Sequence, residues 1–190
     1  GATRIYKMES NYATHMVTLS LKNNSYLEFI PEQIIPYKDS RFYQKTNLDI
    51  DDSSTAVYSE TIVPGRIAMG EMFDFDICYL KTEGSLNQKI QFRDSSLLMP
   101  KSQKIQSLAM FDDKTILTSV YVLTKKHVTK INNLINELFS NIQGILGGSS
   151  ILPNDSGVSI RILGNSSEEQ KTTIYQILKI IRKEILPDYL

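Results

Sequence analysis

A spacing constrains this chain more than any single motif. Leu19-Ser20-Leu21 is followed by four polar residues and then Tyr26-Leu27-Glu28-Phe29, and Leu48-Asp49-Ile50 is followed by four polar residues and then Thr55-Ala56-Val57-Tyr58. Each position of the second block lies 29 residues after its counterpart. Alternation within each block reads as β-strand, because successive side chains on a strand point to opposite faces. A strand–turn–strand unit recurring at a fixed offset suits flattened, β-helix-like layers stacked on one another. Two copies do not define a solenoid, and alternating strands also resemble one another by chance. Both readings stay open at this level.

The rest of the first half keeps the strand rhythm. His15 to Lys22 alternates and meets a turn at Asn23-Asn24, where Asn tolerates left-handed backbone. A strand at Ser25 to Ile30 stops at Pro31, and Thr55 to Val63 stops at Pro64-Gly65. From Phe73 to Leu80 the spacing predicts a strand whose phenylalanines, Phe73 and Phe75, face away from Asp74 and Asp76. A hairpin is expected around Glu83-Gly84-Ser85.

The period then changes. Val128, Ile131, Leu134, Ile135, Leu138, Phe139 and Ile142 recur at helical spacing, and the pattern stops at Gly144. The glycines of residues 144–148 read as a helix end and loop. Gly157 to Gly164 alternates as a strand. Ser166 followed by Glu169 fits a capping box ahead of Ile174, Ile177, Leu178, Ile181 and Ile185. With a strand at Lys114 to Leu123, the second half reads strand–helix–strand–helix, two helices on a sheet. The expected fold is α+β, mainly β: a stacked-strand part over 1–100 and a C-terminal α/β part over 101–190, in one continuous domain.

Composition removes several functions. The 21 basic and 21 acidic residues balance, which leaves no electrostatic footprint for nucleic acid or an anionic membrane. No apolar run is long enough to span a bilayer. One cysteine permits no internal disulfide, in keeping with a reducing cytoplasm, the expected location. Two histidines, no G-x-S-x-G and no CxxC or HExxH leave no hydrolase triad and no zinc cage. Cys78 reads as a small core residue. Carboxylates are plentiful in the β half: Glu28, Glu32, Glu60, Glu71, Asp74 and Asp76. They could hold a divalent ion weakly or be solvated strand faces. A carboxylate-dependent hydrolase of sugars or phosphoesters, using Glu71, Asp74 and Asp76, is the alternative enzyme reading. No tightly bound cofactor is expected.

Three stretches carry a resemblance. Ala2, Thr3, Arg4, Ile5 and Tyr6 match one block, Leu27, Glu28, Phe29, Ile30 and Pro31 a second, and Gly65, Arg66, Gly70, Glu71 and Phe73 a third. In this order and spacing the chain resembles the urease accessory protein family UreD, called UreH in some organisms. Phe29 stands where that family usually has Trp, and Lys38 where many members have Asp. The family's N-terminal third has no counterpart here, so an upstream segment is expected, and sheet edges left open by its absence would favour self-association. The resemblance implies a non-enzymatic scaffold on which urease apoprotein meets UreF and the GTPase UreG for nickel insertion. It also implies a hydrated passage with transient Ni²⁺ contact, for which Glu28 and Glu71 are the candidates. The alternative for both is an internal ion pair, for instance Glu71 with Arg66.

Overall fold

The 29-residue spacing is a strand register. The computed structural model describes residues 1–105, 107 and 111–186. Strands β1 (Thr3–Ile5), β2 (Ala13–Leu21) and β3 (Tyr26–Phe29) form one coil, and β4 (Ile34–Pro36), β5 (Arg41–Ile50) and β6 (Thr55–Ile62) the next. β2 lies parallel to β5 with Ala13 beside Phe42 and Leu21 beside Ile50. β3 lies parallel to β6 with Tyr26 beside Thr55 and Phe29 beside Tyr58. β1 is parallel to β4. The turns stack as well: Asn23 N donates to Asp51, Asn24 N to Ser53 and Ser25 N to Ser54.

The coils do not continue as a solenoid. β7 (Ile77–Leu86) pairs parallel with β5 at another spacing, Arg41 beside Ile77, and then returns antiparallel as β8 (Lys89–Leu98). β9 (Ile116–Leu123) pairs antiparallel with β6. It is followed by α1 (Val128–Asn141), the antiparallel pair β10 (Leu146–Ile151) and β11 (Gly157–Gly164), and α2 (Ser167–Ile185). The result is two open sheets. One has the order β2-β5-β7-β8; the other has the order β1-β4-β6-β9-β11-β10, with β3 also on β6. The larger sheet draws strands from both sides of residue 100.

The chain packs in three layers. Ile131, Ile135, Ile174, Ile177 and Ile181 of the helices cover one face of the larger sheet, on Val57, Val120, Val122, Val158, Ile160 and Ile162. Each such side chain contributes about 1.5–3 kcal/mol relative to exposure. The smaller sheet covers the other face through Phe42, Leu48, Ile50, Cys78, Leu80 and Phe92. β6 is therefore buried along its whole length, as expected of a strand covered on both faces. Cys78 is a fully buried core residue, as its apolar surroundings in the sequence suggested.

Three local readings are corrected. The β7–β8 hairpin turns at Asn87-Gln88, both in left-handed backbone (φ 50° and 65°), not at Glu83-Gly84-Ser85. Gly84 lies inside β7 at a bulge because the Phe92 ring occupies the space a Cβ would need. Phe73 to Asp76 is loop, with Phe73 at φ 56°, so the strand starts at Ile77 and its apolar and acidic faces do not exist. The segment read as a glycine loop after α1 forms β10, whose Ser149 backbone is held from α1 by the Asn136 side chain. Of the capping box, one half is present: the Ser166 hydroxyl accepts from Glu169 N at 3.3 Å.

Candidate functional site

The third matched block builds a closed surface loop between β6 and β7. Phe73 N donates to Pro64 O at 2.7 Å and shuts it. A short 3-10 turn at Ile67–Met69 ends on Gly70 in left-handed backbone, φ 75°. Gly65 has φ 139°, and a Cβ there would sit 3.0 Å from the Glu71 carbonyl oxygen and 3.3 Å from that of Pro36. Only glycine suits that position. Arg66 donates through Nε to Glu71 Oε2 at 2.9 Å and through Nη2 to Oε1. The guanidinium also lies over the Tyr37 ring, 4.1 Å from its centre. Glu71 accepts from Lys38 N at 3.2 Å as well. The Arg66 hydrogen bonds hold its carboxyl below the usual range. Phe73 anchors the loop edge-on against Phe111.

The consequence is a rigid loop with an apolar tip. Ile67 is 52% exposed, Met69 71% and Met72 45%. Exposed Met and Ile on a fixed support are what a partner's apolar groove can grip.

Glu28 and Pro31, from the second block, lie against α2. Arg182 in the last turn of α2 donates to Glu28 Oε1 at 2.7 Å and to Oε2 at 2.5 Å, and Tyr26 donates its hydroxyl to Oε1 at 2.5 Å. Partial burial pushes the Glu28 carboxyl up, but Arg182 and Tyr26 outweigh it and hold it low. Pro31 lines a cavity of about 200 Å³ with Ile30, Thr61, Ile174, Tyr175 and Leu178. Glu28 and Glu71 are thus not brought together, and each is engaged by its own arginine.

The three carboxylates of the enzyme alternative do not converge either. Glu71 is held by Arg66, Asp74 accepts from Met72 N, and Asp76 is bridged by Arg41 and Lys101. Among the described residues no three His, Cys, Asp or Glu side chains are grouped to hold a metal ion. No helix among them is long and apolar enough to cross a membrane.

Among the described residues the most buried carboxylate is that of Glu60, 4% exposed, between the two sheets. It accepts from Tyr58 Oη at 3.1 Å and from Gln44 Nε2 at 3.3 Å. Gln44 Oε1 in turn accepts from His15 Nδ1 at 3.0 Å, which links the exposed edge of β2 to the interior. Burial raises the Glu60 carboxyl above its ordinary value, against the pull of Tyr58, Arg161 and Gln44. Beside it, Asp94 accepts from Tyr121 Oη and from Arg161. The aromatic rings of Phe29, Tyr58, Tyr121 and Phe92 stack in a row through the same layer. Alternation alone placed Glu60 among several acidic strand residues. Its burial depends on β6 being covered from both sides, a long-range fact.

A family model described as UreD urease accessory protein matches residues 1–188. The urease accessory protein UreD of Cenarchaeum symbiosum (strain A) is 35% identical over 187 residues, which cover 97% of this chain and 66% of that protein. Urease accessory protein UreD 2 of Brucella canis is 34% identical over 189 residues, 97% of this chain and 63% of that protein. The UreD of Yersinia enterocolitica is 32% identical over 197 residues, 98% and 60%. The chain thus spans a little under two thirds of the length of the curated relatives it matches. Its three matched blocks lie inside that shared span, and the chain belongs to the UreD urease accessory protein family.

Proposed function

We propose that this chain is a non-enzymatic urease maturation factor, a scaffold that joins urease apoprotein to UreF and, through UreF, to the GTPase UreG, so that nickel reaches the urease active site in the cytoplasm. The observation that carries this reading is the family match over residues 1–188. The loop at Gly65–Phe73 supports it physically. Its glycines, ion pair and Phe73 anchor are spent on rigidity, and Ile67, Met69 and Met72 are left outward as contact residues. In this reading Gly65, Arg66, Gly70, Glu71 and Phe73 hold a partner-binding surface, and Pro31 shapes the surface beneath α2. Nickel is cargo, met transiently. Glu28 and Glu71 are its proposed contacts along the path, and a hydrated Ni²⁺ reaching either would compete with Arg182 or Arg66 for the carboxylate.

The test is co-expression of the chain with the urease subunits and UreF of its own host, followed by size exclusion. Co-elution with urease or UreF is expected. It should be lost in Ile67→Asp/Met69→Asp, which leaves the loop's internal bonds in place. No association with any of these partners would overturn the scaffold reading.

A further inference from the structure

The Gly65–Phe73 loop is one of three successive corners at which the chain passes from the larger sheet to the smaller. The other two carry Tyr6-Lys7, after β1, and Tyr37-Lys38, after β4. Tyr37 N donates to Ile5 O at 2.9 Å and Met8 N to Asp39 O at 3.2 Å, so the first two corners lie side by side. Their rings and the loop's arginine form a ladder. Tyr6 stands edge-on to Tyr37, 5.0 Å between centres, and the Arg66 guanidinium lies over Tyr37. Together with Lys7, Lys38, Asp39 and Glu71 this ladder lines an open cleft of about 530 Å³.

The charges of the cleft do not balance within the chain. Glu71 is held by Arg66, and Asp39 accepts from Lys101 Nζ at 2.6 Å. Lys7 and Lys38 are exposed, and among the described residues neither forms an ion pair. Unpaired lysines on neighbouring corners repel each other, and an acidic group from outside would relieve that repulsion. The cleft is also continuous with the apolar tip. Arg66 and Glu71, which line it, are the two feet of the turn that carries Ile67 and Met69 outward.

We propose that cleft and tip form one docking surface for an acidic segment of a partner protein. Its carboxylates meet Lys7 and Lys38, and its apolar side chains cover Tyr6, Ile67 and Met69. Charge selects this occupant. Among the described residues the cleft offers two free cations and no free carboxylate, while the tip offers Ile and Met and no charge. A segment of interleaved acidic and apolar residues complements both. The inference rests on the scaffold reading above and deepens it, because it gives the partner's contact element a chemistry.

The test is binding of the chain to purified urease apoprotein and to purified UreF, measured by interferometry at low and high salt. Lys7→Gln/Lys38→Gln changes two exposed side chains and should keep the wild-type circular dichroism. It should weaken the complex about tenfold or more at low salt and much less at about 0.5 M salt, where the attraction is screened. Lys7→Arg/Lys38→Arg keeps the charge and should keep the affinity; a loss there as large as with Gln overturns the proposal. A complex equally tight with the Gln variant overturns this surface and leaves the scaffold reading standing. No complex with either protein fails the scaffold reading, and the surface with it. Lysine acetylation of the free protein, expressed with any residues that precede Gly1, tests the rival occupant. Lys7 and Lys38 should react in the free protein and be protected in the complex. Protection already in the free protein would assign the cleft to the chain's own preceding residues and overturn the proposal.

Discussion

Arg182 and Glu28, 154 residues apart, are joined by two hydrogen bonds that tie the last turn of α2 to β3. The pair connects the C-terminal helix to the first coil. The guanidinium near the helix C-terminus also meets the negative end of the helix dipole. Glu28→Ala should leave Arg182 partly buried without its partner and cost about 1–2 kcal/mol, between the values for exposed and for buried pairs. Because the folded carboxyl titrates below its ordinary value, its contribution is present above that value and is lost as pH falls through the folded pKa. Thermal melts across the acid range check this: wild type and Glu28→Ala should converge at low pH. Parallel curves would refute it.

Glu60 should act in the opposite sense. Its folded pKa lies above the ordinary 4.5. Stability from the neutral form is complete below the ordinary value and is lost as pH rises through the folded one. Glu60→Gln keeps the shape and the neutral state, so it should match wild type in acid and exceed it at higher pH. Urea denaturation between about pH 5 and about pH 8 reads the difference. A Gln variant less stable at the upper end would show that the ionised carboxylate is the favoured form.

Gly84→Ala should destabilise by about 1–3 kcal/mol, the usual range for overpacking. A Cβ there would lie 2.0 Å from the Phe92 ring, which is stacked on Tyr121. The second change Phe92→Leu should recover part of the loss. Equal stability of Gly84→Ala and wild type in denaturant would contradict the close approach.

Arg66→Glu should open the loop by setting like charges together at Glu71, and the swap Arg66→Glu/Glu71→Arg should close it only in part. The swapped arginine cannot also lie over Tyr37 as Arg66 does. Limited proteolysis between Ile67 and Met72 measures it: fast cutting in the single variant, intermediate in the double, slow in wild type. Identical cutting in all three would mean the ion pair does not hold the loop.

Where local pattern and tertiary environment agree, the fold is legible in the residues. β2, β9, α1 and α2 are read directly from their periods, and the 29-residue echo coincides with the register of β2 on β5 and β3 on β6. Arg66 and Glu71 are close enough in sequence for their pairing to be foreseen. The misreadings share a cause. Phe73-Asp74-Phe75-Asp76 alternates like a strand, but Phe73 adopts left-handed backbone and turns its ring onto Phe111, a contact 38 residues away. The turn at Asn87-Gln88 was masked by Gly84, whose missing side chain accommodates Phe92. Glu28 gave no sign of Arg182, because nothing local to either residue encodes a partner across the molecule.

The stacked turns carry one more consequence. Residues 22–25 and 51–54 bridge the two sheets one above the other, and the amides of Asn23, Asn24 and Ser25 find their acceptors in the second turn. The pairs on either side of these turns, β2 on β5 and β3 on β6, share the same offset, so the length of one turn is not a free variable. A residue inserted in one turn alone would shift a strand by one position and reverse its inward and outward faces. The same insertion made in both at once would preserve every pairing beyond them. Turn length here is a joint property of two distant segments, and changes in it should be tolerated in pairs.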